Sequence, residues 1–414
     1  MGIGPGLTAH RAPVAFDGER FVAGGAMVLV EGDHIVGVEA YDFAPPADVE
    51  VTTYDGTLLP GLVDAHVHLV ADGVPGSLEA AGTMSDDEID AVIGRTLTQQ
   101  AAGGVTTVRD LGDRRYRTLD LRDAGAPGVP RIVAAGPPFT VTDGHCHYLG
   151  GAAEGPHAIR AAMAEHVERG VDVVKVMASG GMLTPDTDQL GVQFSAEDLR
   201  LIVDLAHEAG LQVLAHTHSL RGAWHAVDAG VDGLEHFTCL TEDGLRTPPD
   251  LLDAIAAGGI VVDPTIGWNR AAIRMGALAP RLRELMERLG LDPDTMRVAR
   301  AEQLRLALEH GVRVVSGTDA GIGRTKLHGD GVWRAVVELT DACPIEHALA
   351  TATSYAAEAL GLASVTGRLR PGLAADLLVV DGDVRADHDA LGRPVAVYVR
   401  GVAVPPARRG PEPT

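Results

Sequence analysis

His66 and His68 stand two residues apart in the apolar run Leu62–Leu69. On a strand, residues two apart face the same side, so both imidazoles project together. Imidazole is the commonest protein metal ligand, and two on one face make half of a metal site. The same pair also suits two polar residues in a loop, and the spacing alone leaves both readings open.

Lys175 lies within Val171–Met177, a run that is otherwise mostly apolar. The chain has 34 basic residues, of which Lys175 and Lys326 are the only lysines, so its surface cations are written as arginine. A lysine inside an apolar strand therefore needs a reason. Burial disfavours the ammonium, lowers its pKa and leaves some neutral amine. A neutral amine can add carbon dioxide to form a carbamate. That exchanges a cation for an anion with two oxygens, suited to bridging two divalent cations. A lysine that reaches the strand end or pairs with an acid is the competing reading.

Three further runs close on polar residues: Leu211–His216, with Thr217 and His218 just beyond, Val231–His236, and Arg313–Asp319. Any one of these suits a satisfied core histidine or a capping aspartate. Together, His66, His68, Lys175, His216, His236 and Asp319 supply six candidate ligands in chain order. That set suffices for two divalent metal ions with open positions for a bridging hydroxide. Zinc is the default for a histidine-rich site with carboxylates, and manganese, cobalt or iron suit similar ligands.

Such residues need strands to aim them. Eight apolar runs recur: Leu62–Leu69, Val105–Asp110, Arg131–Ala135, Val171–Met177, Leu211–His216, Val231–His236, Ile260–Thr265 and Arg313–Asp319. Amphipathic stretches lie between several of them. Ala196–Ala209 is one, with Ser195 as its N-cap and Gly210 just past its end. Pro344–Leu360 follows the last run as a further helical stretch. Eight strand–helix units predict an α/β fold of the (β/α)8 barrel type, over residues 58–365. In such a barrel the chemistry sits at the C-terminal strand ends, where the six candidates fall. The region Arg270–His310 exceeds one crossover and reads as an insertion.

Both chain ends are rich in short strands instead. Ala26–Val30 and His34–Val38 flank a Gly-containing turn and predict a hairpin. Asp376–Val380 and Val395–Val399 form a similar pair. Residues 1–57 and 366–414 are therefore expected to form one small β-sandwich domain built from both termini. Val404–Thr414, rich in proline and arginine, is expected to fray.

Composition bounds the partners. The chain has 414 residues, 46% of them hydrophobic, enough for a large core. Its formal net charge of −23 argues against nucleic acid or an anionic membrane surface as a partner. The three cysteines, Cys146, Cys239 and Cys343, show no Cys-x-x-Cys spacing and point to a reducing compartment. Met1–Gly25 lacks a basic start followed by a continuous apolar stretch, and no run is long enough to span a membrane. The expectation is a cytoplasmic protein acting on a small molecule. Assembly into a homo-oligomer is compatible with this architecture.

The motifs Leu59-Pro60-Gly61-Leu62-Val63-Asp64-Ala65-His66-Val67-His68, Lys175-Val176-Met177-Ala178-Ser179-Gly180-Gly181, Leu214-Ala215-His216, Glu235-His236 and Gly317-Thr318-Asp319-Ala320-Gly321 resemble the amidohydrolase superfamily. Leu369–Leu377 resembles that family's return into its small β-sandwich. The Lys175–Gly181 block, with Gln193-Phe194-Ser195 after it, is similar to the branch of prolidase-type dipeptidases and imidazolonepropionase-related proteins.

The resemblance implies that His66, His68 and Asp319 hold the more buried metal and that His216 and His236 hold the second. It implies a carboxylated Lys175 bridging the two. Asp319 would then take a proton from the bridging hydroxide and pass it to the leaving nitrogen, as one carboxylate can. Three more histidines are implied to contact substrate: His145 after the third run, His218 where many relatives carry tyrosine, and His328 in a His-Gly pair. The implied activity is hydrolysis of an amide-type C–N bond in a dipeptide, an N-acyl amino acid or a related amide. Aryl-amide, carbamate and cyclic-amide hydrolysis stay open. A deaminase of the same superfamily fits less well, because such enzymes generally use one metal and lack the lysine. A barrel that only binds is disfavoured by the complete ligand set.

Overall fold

The computed structural model describes residues 6–407 apart from 185, 275–279, 289 and 291. Eight parallel strands form its middle: β1 (Leu62–Val67), β2 (Val105–Asp110), β3 (Arg131–Ala134), β4 (Val173–Met177), β5 (Gln212–His216), β6 (Gly233–Glu235), β7 (Val261–Asp263) and β8 (Arg313–Val314). They belong to two sheets, in the orders β3-β2-β1 and β4-β5-β6-β7-β8. Strands buried on both faces read as near-continuous apolar runs, which is why each was visible in the sequence.

Backbone hydrogen bonds link the two sheets at both edges. Ala65 N donates to Ser316 O at 3.1 Å and His68 N to Ala320 O at 2.9 Å, between β1 and the segment after β8. Asp172 N donates to Ala134 O at 2.9 Å, and Phe139 N to Lys175 O at 2.8 Å, between β3 with its trailing segment and β4. The eighth run forms a strand over Arg313–Val314 alone. Beyond it the backbone continues against β1 and turns at Asp319, whose φ is +58°.

Helices follow most strands. Asp86–Ala102 starts at Ser85, which forms a reciprocal capping box with Glu88. Ala196–Glu208 starts where Ser195 Oγ accepts from Asp198 N at 3.0 Å, and Gly210 beyond it has φ +75°. The stretch Pro344–Leu360 is not one helix but two, Ile345–Thr351 and Ser354–Ala359. The break has a physical reason. The carbonyls of Thr351 and Ala352 accept from Ser316 N and Val63 N, at 2.9 and 2.8 Å, so they serve β1 and the segment after β8 instead of the helix.

The chain termini build two more sheets. Four strands pair in the order His34–Ala40, Ala26–Glu31, Thr8–Ala12, Glu50–Thr53. Six pair in the order Val402–Val404, Pro394–Val399, Leu377–Val380, Thr57–Pro60, Val14–Phe16, Phe21–Val22. The expected hairpin is present, closed by Gly32 and Asp33 between the partners Glu31 and His34. Val28, Val30 and Ile35 of one sheet share a buried cluster with Leu58, Leu377 and Val379 of the other. The short strands near residues 8–22 and at 50–53 carried no clear alternation in the sequence.

The stretch Arg270–His310 contains the helices Arg270–Arg274, Pro280–Arg288 and Pro293–Glu309. Positions 275–279, 289 and 291 of that stretch, and 408–414 of the expected frayed tail, lie outside the described residues. Among the described residues, no helix is long and apolar enough to cross a membrane.

Candidate metal centre

The strand ends bring the six candidate ligands to one cavity. His66 lies on β1 and His68 just past it, Lys175 on β4, His216 at the end of β5, His236 just past β6, and Asp319 beyond β8. All six line a cavity of about 1910 Å³, together with His145 and His218. All are buried.

Three groups of side chains among the described residues are close enough to share an ion, with ligand atoms within 4.8 Å in each: His66, His68 and Asp319; His216, His218 and His236; and His66, Glu235 and Asp263. Asp319 Oδ1 is 3.1 Å from His68 Nε2 and 3.4 Å from His66 Nε2. His216 Nδ1 is 2.8 Å from His236 Nε2. The structure thus gives His218, expected as a substrate contact, a place beside the second pair, its ring stacked on that of His236.

Neighbours fix which nitrogen each imidazole offers. His66 Nδ1 donates to Glu235 Oε2 at 2.6 Å, which leaves Nε2 as the free lone pair. His68 Nδ1 faces Gly112 O at 3.3 Å, His216 Nε2 faces Gly180 O at 3.3 Å, and His236 Nδ1 faces Thr265 Oγ1 at 2.8 Å. Each contact turns the other ring nitrogen toward the cluster. Burial pushes the His66, His216 and His236 imidazoles well below their usual pKa, toward the neutral form that binds metals. Burial works against a charged His68 too, but the Asp319 carboxylate outweighs it and raises its pKa. Burial opposes ionisation of Asp319 as well, yet His68 and His66 bring its pKa down to about 2.

The donor set fits divalent cations. Two buried atoms of the cluster, His66 Nε2 and Lys175 Nζ, have no hydrogen-bond partner among the described residues. Burial lowers the Lys175 pKa, with Glu235 and Asp319 opposing that shift. Neutral imidazoles, one carboxylate and a partly neutral amine form a coordination set, whereas a satisfied polar core would have paired these atoms.

Several residues behind the cluster escaped the sequence reading. Glu235 bonds His66 and also lies 3.4 Å from Arg109 Nη2, whose Nε donates to Ala65 O at 2.7 Å. Asp263, on β7, has its pKa raised by burial and then by the Glu235 charge. The available signal was position: Glu235 precedes a candidate ligand, and Asp263 lies within the predicted run Ile260–Thr265. Arg109, tied to Glu235 and to Ala65 O, lies beneath the cluster. Arg270 and Arg324 do line the cavity.

His145 is held over the cluster by Thr184 Oγ1 at 3.0 Å from its Nδ1, with its ring 4.5 Å from that of His216. Gln193 fixes the same turn, accepting from His145 N at 2.6 Å and donating to Met177 O at 2.8 Å. Gly181 is required there because a Cβ would lie 2.3 Å from the His145 ring. His328 does not reach the cavity. Its Nε2 donates to Ala71 O at 2.8 Å and its Nδ1 meets Gln100 Nε2 at 3.1 Å, which ties it to the loop after β1. Cys146 lines the cavity, and burial pushes its thiol up to about 12, so it offers no thiolate nucleophile.

The strand ends are strained, and one side chain holds them. His236, Phe237 and Thr265 have φ of +66°, +45° and +45°, a region costly for residues with a Cβ. Half-buried Arg300, from the helix Pro293–Glu309, donates to His236 O at 2.6 Å, Phe237 O at 2.7 Å and Pro264 O at 3.0 Å. Arg300→Met is therefore expected to destabilise the protein by about 3 kcal/mol or more, because it strands buried carbonyls. A chemical denaturation curve measures this, and an unchanged midpoint would remove Arg300 from this role.

Comparison with known proteins agrees with this geometry. The model of the Amidohydrolase family matches residues 57–404. An uncharacterized protein of Mycobacterium tuberculosis is 31% identical over 367 residues, covering 86% of this chain and 88% of that one. An ochratoxinase of Aspergillus niger is 27% identical over 368 residues, covering 82% of this chain and 73% of the relative. Among solved structures, a Xaa-Pro dipeptidase with bound methionine superposes with a TM-score of 0.82 at 24% identity, covering 96% of this chain and 99% of that chain. At that identity the likeness speaks for the fold alone.

Proposed function

This chain belongs to the amidohydrolase family, and we propose that it is a binuclear metal-dependent hydrolase that cleaves an amide C–N bond in a small molecule. The observation that carries this reading is the convergence, in one cavity, of His66, His68 and Asp319 with His216 and His236 around the unpaired amine of Lys175. We read the two parallel sheets as one closed (β/α)8 barrel over 58–365, supported by the backbone hydrogen bonds at both seams. The terminal sheets are read as a composite sandwich.

The residues divide the work. His66, His68 and Asp319 would hold one divalent cation, zinc by default, and His216 and His236 the other. The neutral fraction of Lys175 would add carbon dioxide at Nζ and lose a proton, giving a carbamate that would supply two oxygen ligands. Bound divalent cations polarise a carbonyl and lower the pKa of water. Asp319, kept ionised by His66 and His68, accepts the proton of the attacking water and delivers it to the leaving nitrogen. Glu235 keeps His66 in one tautomer. His145 and His218 line the same space and are placed to meet substrate.

A prolidase-type dipeptidase is one form of this activity. Aryl-amide or carbamate hydrolysis is a second reading, favoured by a cavity of about 1910 Å³, which exceeds what a dipeptide fills. The test is a hydrolysis screen on zinc-, manganese- and cobalt-loaded protein. The panel holds Xaa-Pro and other dipeptides, N-acyl amino acids, aryl amides, carbamates, lactones and amino-heterocycles, read by mass spectrometry. The expected result is amine release that a chelator abolishes and added metal restores. Protein that binds no divalent metal, or that turns over amino-heterocycles alone, would end the amide-hydrolase reading.

A further inference from the structure

The second lysine has a place as unusual as the first. Lys326 is 1% exposed and lines the same cavity as the ligand cluster. Its Nζ donates to the carbonyls of Thr265 and Ile266, the latter at 3.3 Å, and sits 4.3 Å from the centroid of the Trp268 ring. These contacts orient the ammonium without neutralising it. Among the described residues it forms no ion pair with a carboxylate. In a chain whose other basic residues, Lys175 apart, are all arginine, a lysine here is a deliberate point charge rather than a surface cation.

A buried cation with no carboxylate in ion-pair contact, and only the more distant charges of Asp319 and Glu338 opposing its burial, is costly, and the cost falls if a ligand brings the anion closer. Burial lowers the Lys326 pKa to about 8, so at neutral pH it is still mostly ammonium. Its charge also reaches the ligand cluster, since it is one of the groups that hold Asp319 low. Asp319 and Glu338 also line the cavity and act on Lys326, so a monoanion is better suited than a dianion. Apolar side chains such as Ile266 and Met286 share the wall and would seat the body of such a molecule.

We propose that Lys326, held by Trp268 and by the carbonyls of Thr265 and Ile266, is the receptor for a free carboxylate on the amide substrate. The substrate class is then an amide that carries a carboxylate, such as an N-acyl amino acid, in preference to a neutral amide. This rests on the hydrolase reading given above, but it can be tested apart from it.

The test measures binding first. Zinc-loaded protein is titrated with N-acetyl-L-phenylalanine and with its uncharged amide, N-acetyl-L-phenylalaninamide, by calorimetry. The carboxylate is expected to bind about tenfold tighter or more, the range of a charged hydrogen bond. In Lys326→Met, of similar volume and without charge, that preference is expected to fall to within about twofold, the charged contact being lost. Lys326→Arg is expected to keep part of it. If the Met variant does not fold, Lys326→Gln takes its place. Equal affinity for both compounds in the parent protein overturns the proposal. So does a preference that survives in Lys326→Met, which would place the carboxylate on the metals or on an arginine. Selective binding lost with Lys326, but with no amide hydrolysed in the screen, would uphold the receptor and reject the hydrolase.

Discussion

Asp319→Asn is expected to lower kcat/KM by roughly a hundred- to ten-thousand-fold, the contribution of a positioned general acid–base group. Asparagine keeps the shape of the side chain and one oxygen that can face His68 and His66. It also tolerates the left-handed backbone at this position, where φ is +58°. The change therefore removes the proton carrier with little cost to the fold. A carboxylate brought to about pKa 2 by two imidazoles is ionised at neutral pH and ready to accept a proton. The amide of asparagine cannot. Steady-state kinetics beside a denaturation curve separate the two effects. Activity near that of the parent would mean that another group moves the proton, and loss of activity in step with loss of folding would leave Asp319 with a structural role.

Much of this site was legible in the sequence, and the reasons are physical. Strands covered on both faces read as near-continuous apolar runs, so β4 was visible within Val171–Met177. A lysine inside such a strand stood out because the chain otherwise uses arginine. What the sequence hid was the identity of partners on different strands. Glu235 reaches His66 across 169 positions, and nothing in either local pattern announces it. His328 shows the reverse. It follows the last strand as a ligand-bearing loop would, yet its ring turns to Ala71 and Gln100. The break after Thr351 was equally hidden, because it depends on amide groups of Val63 and Ser316 far along the chain. Lys326 was the missed signal: the lysine count singled it out as surely as Lys175, but it lay outside an apolar run.

Lys175→Ala is expected to lower metal content and activity together, with activity down by roughly a hundredfold or more if the lost group bridges the two ions. The parent lysine is buried, its amine has no hydrogen-bond partner among the described residues, and burial favours the neutral form that a carbamate needs. The alanine leaves room in the cluster for a small guest, and the guest that restores function reports the charge of what was removed. If Lys175 serves as a carbamate, acetate or propionate should restore part of the metal content and the activity, because each supplies two oxygens in the same place. If it serves instead as an ammonium facing Glu235 and Asp319, methylammonium should restore function and carboxylates should not. Metal analysis of the alanine protein with each additive, followed by kinetics, decides between them. Full metal content and full activity with neither additive would remove the bridge altogether, and the two histidine groups would then have to hold their ions without it.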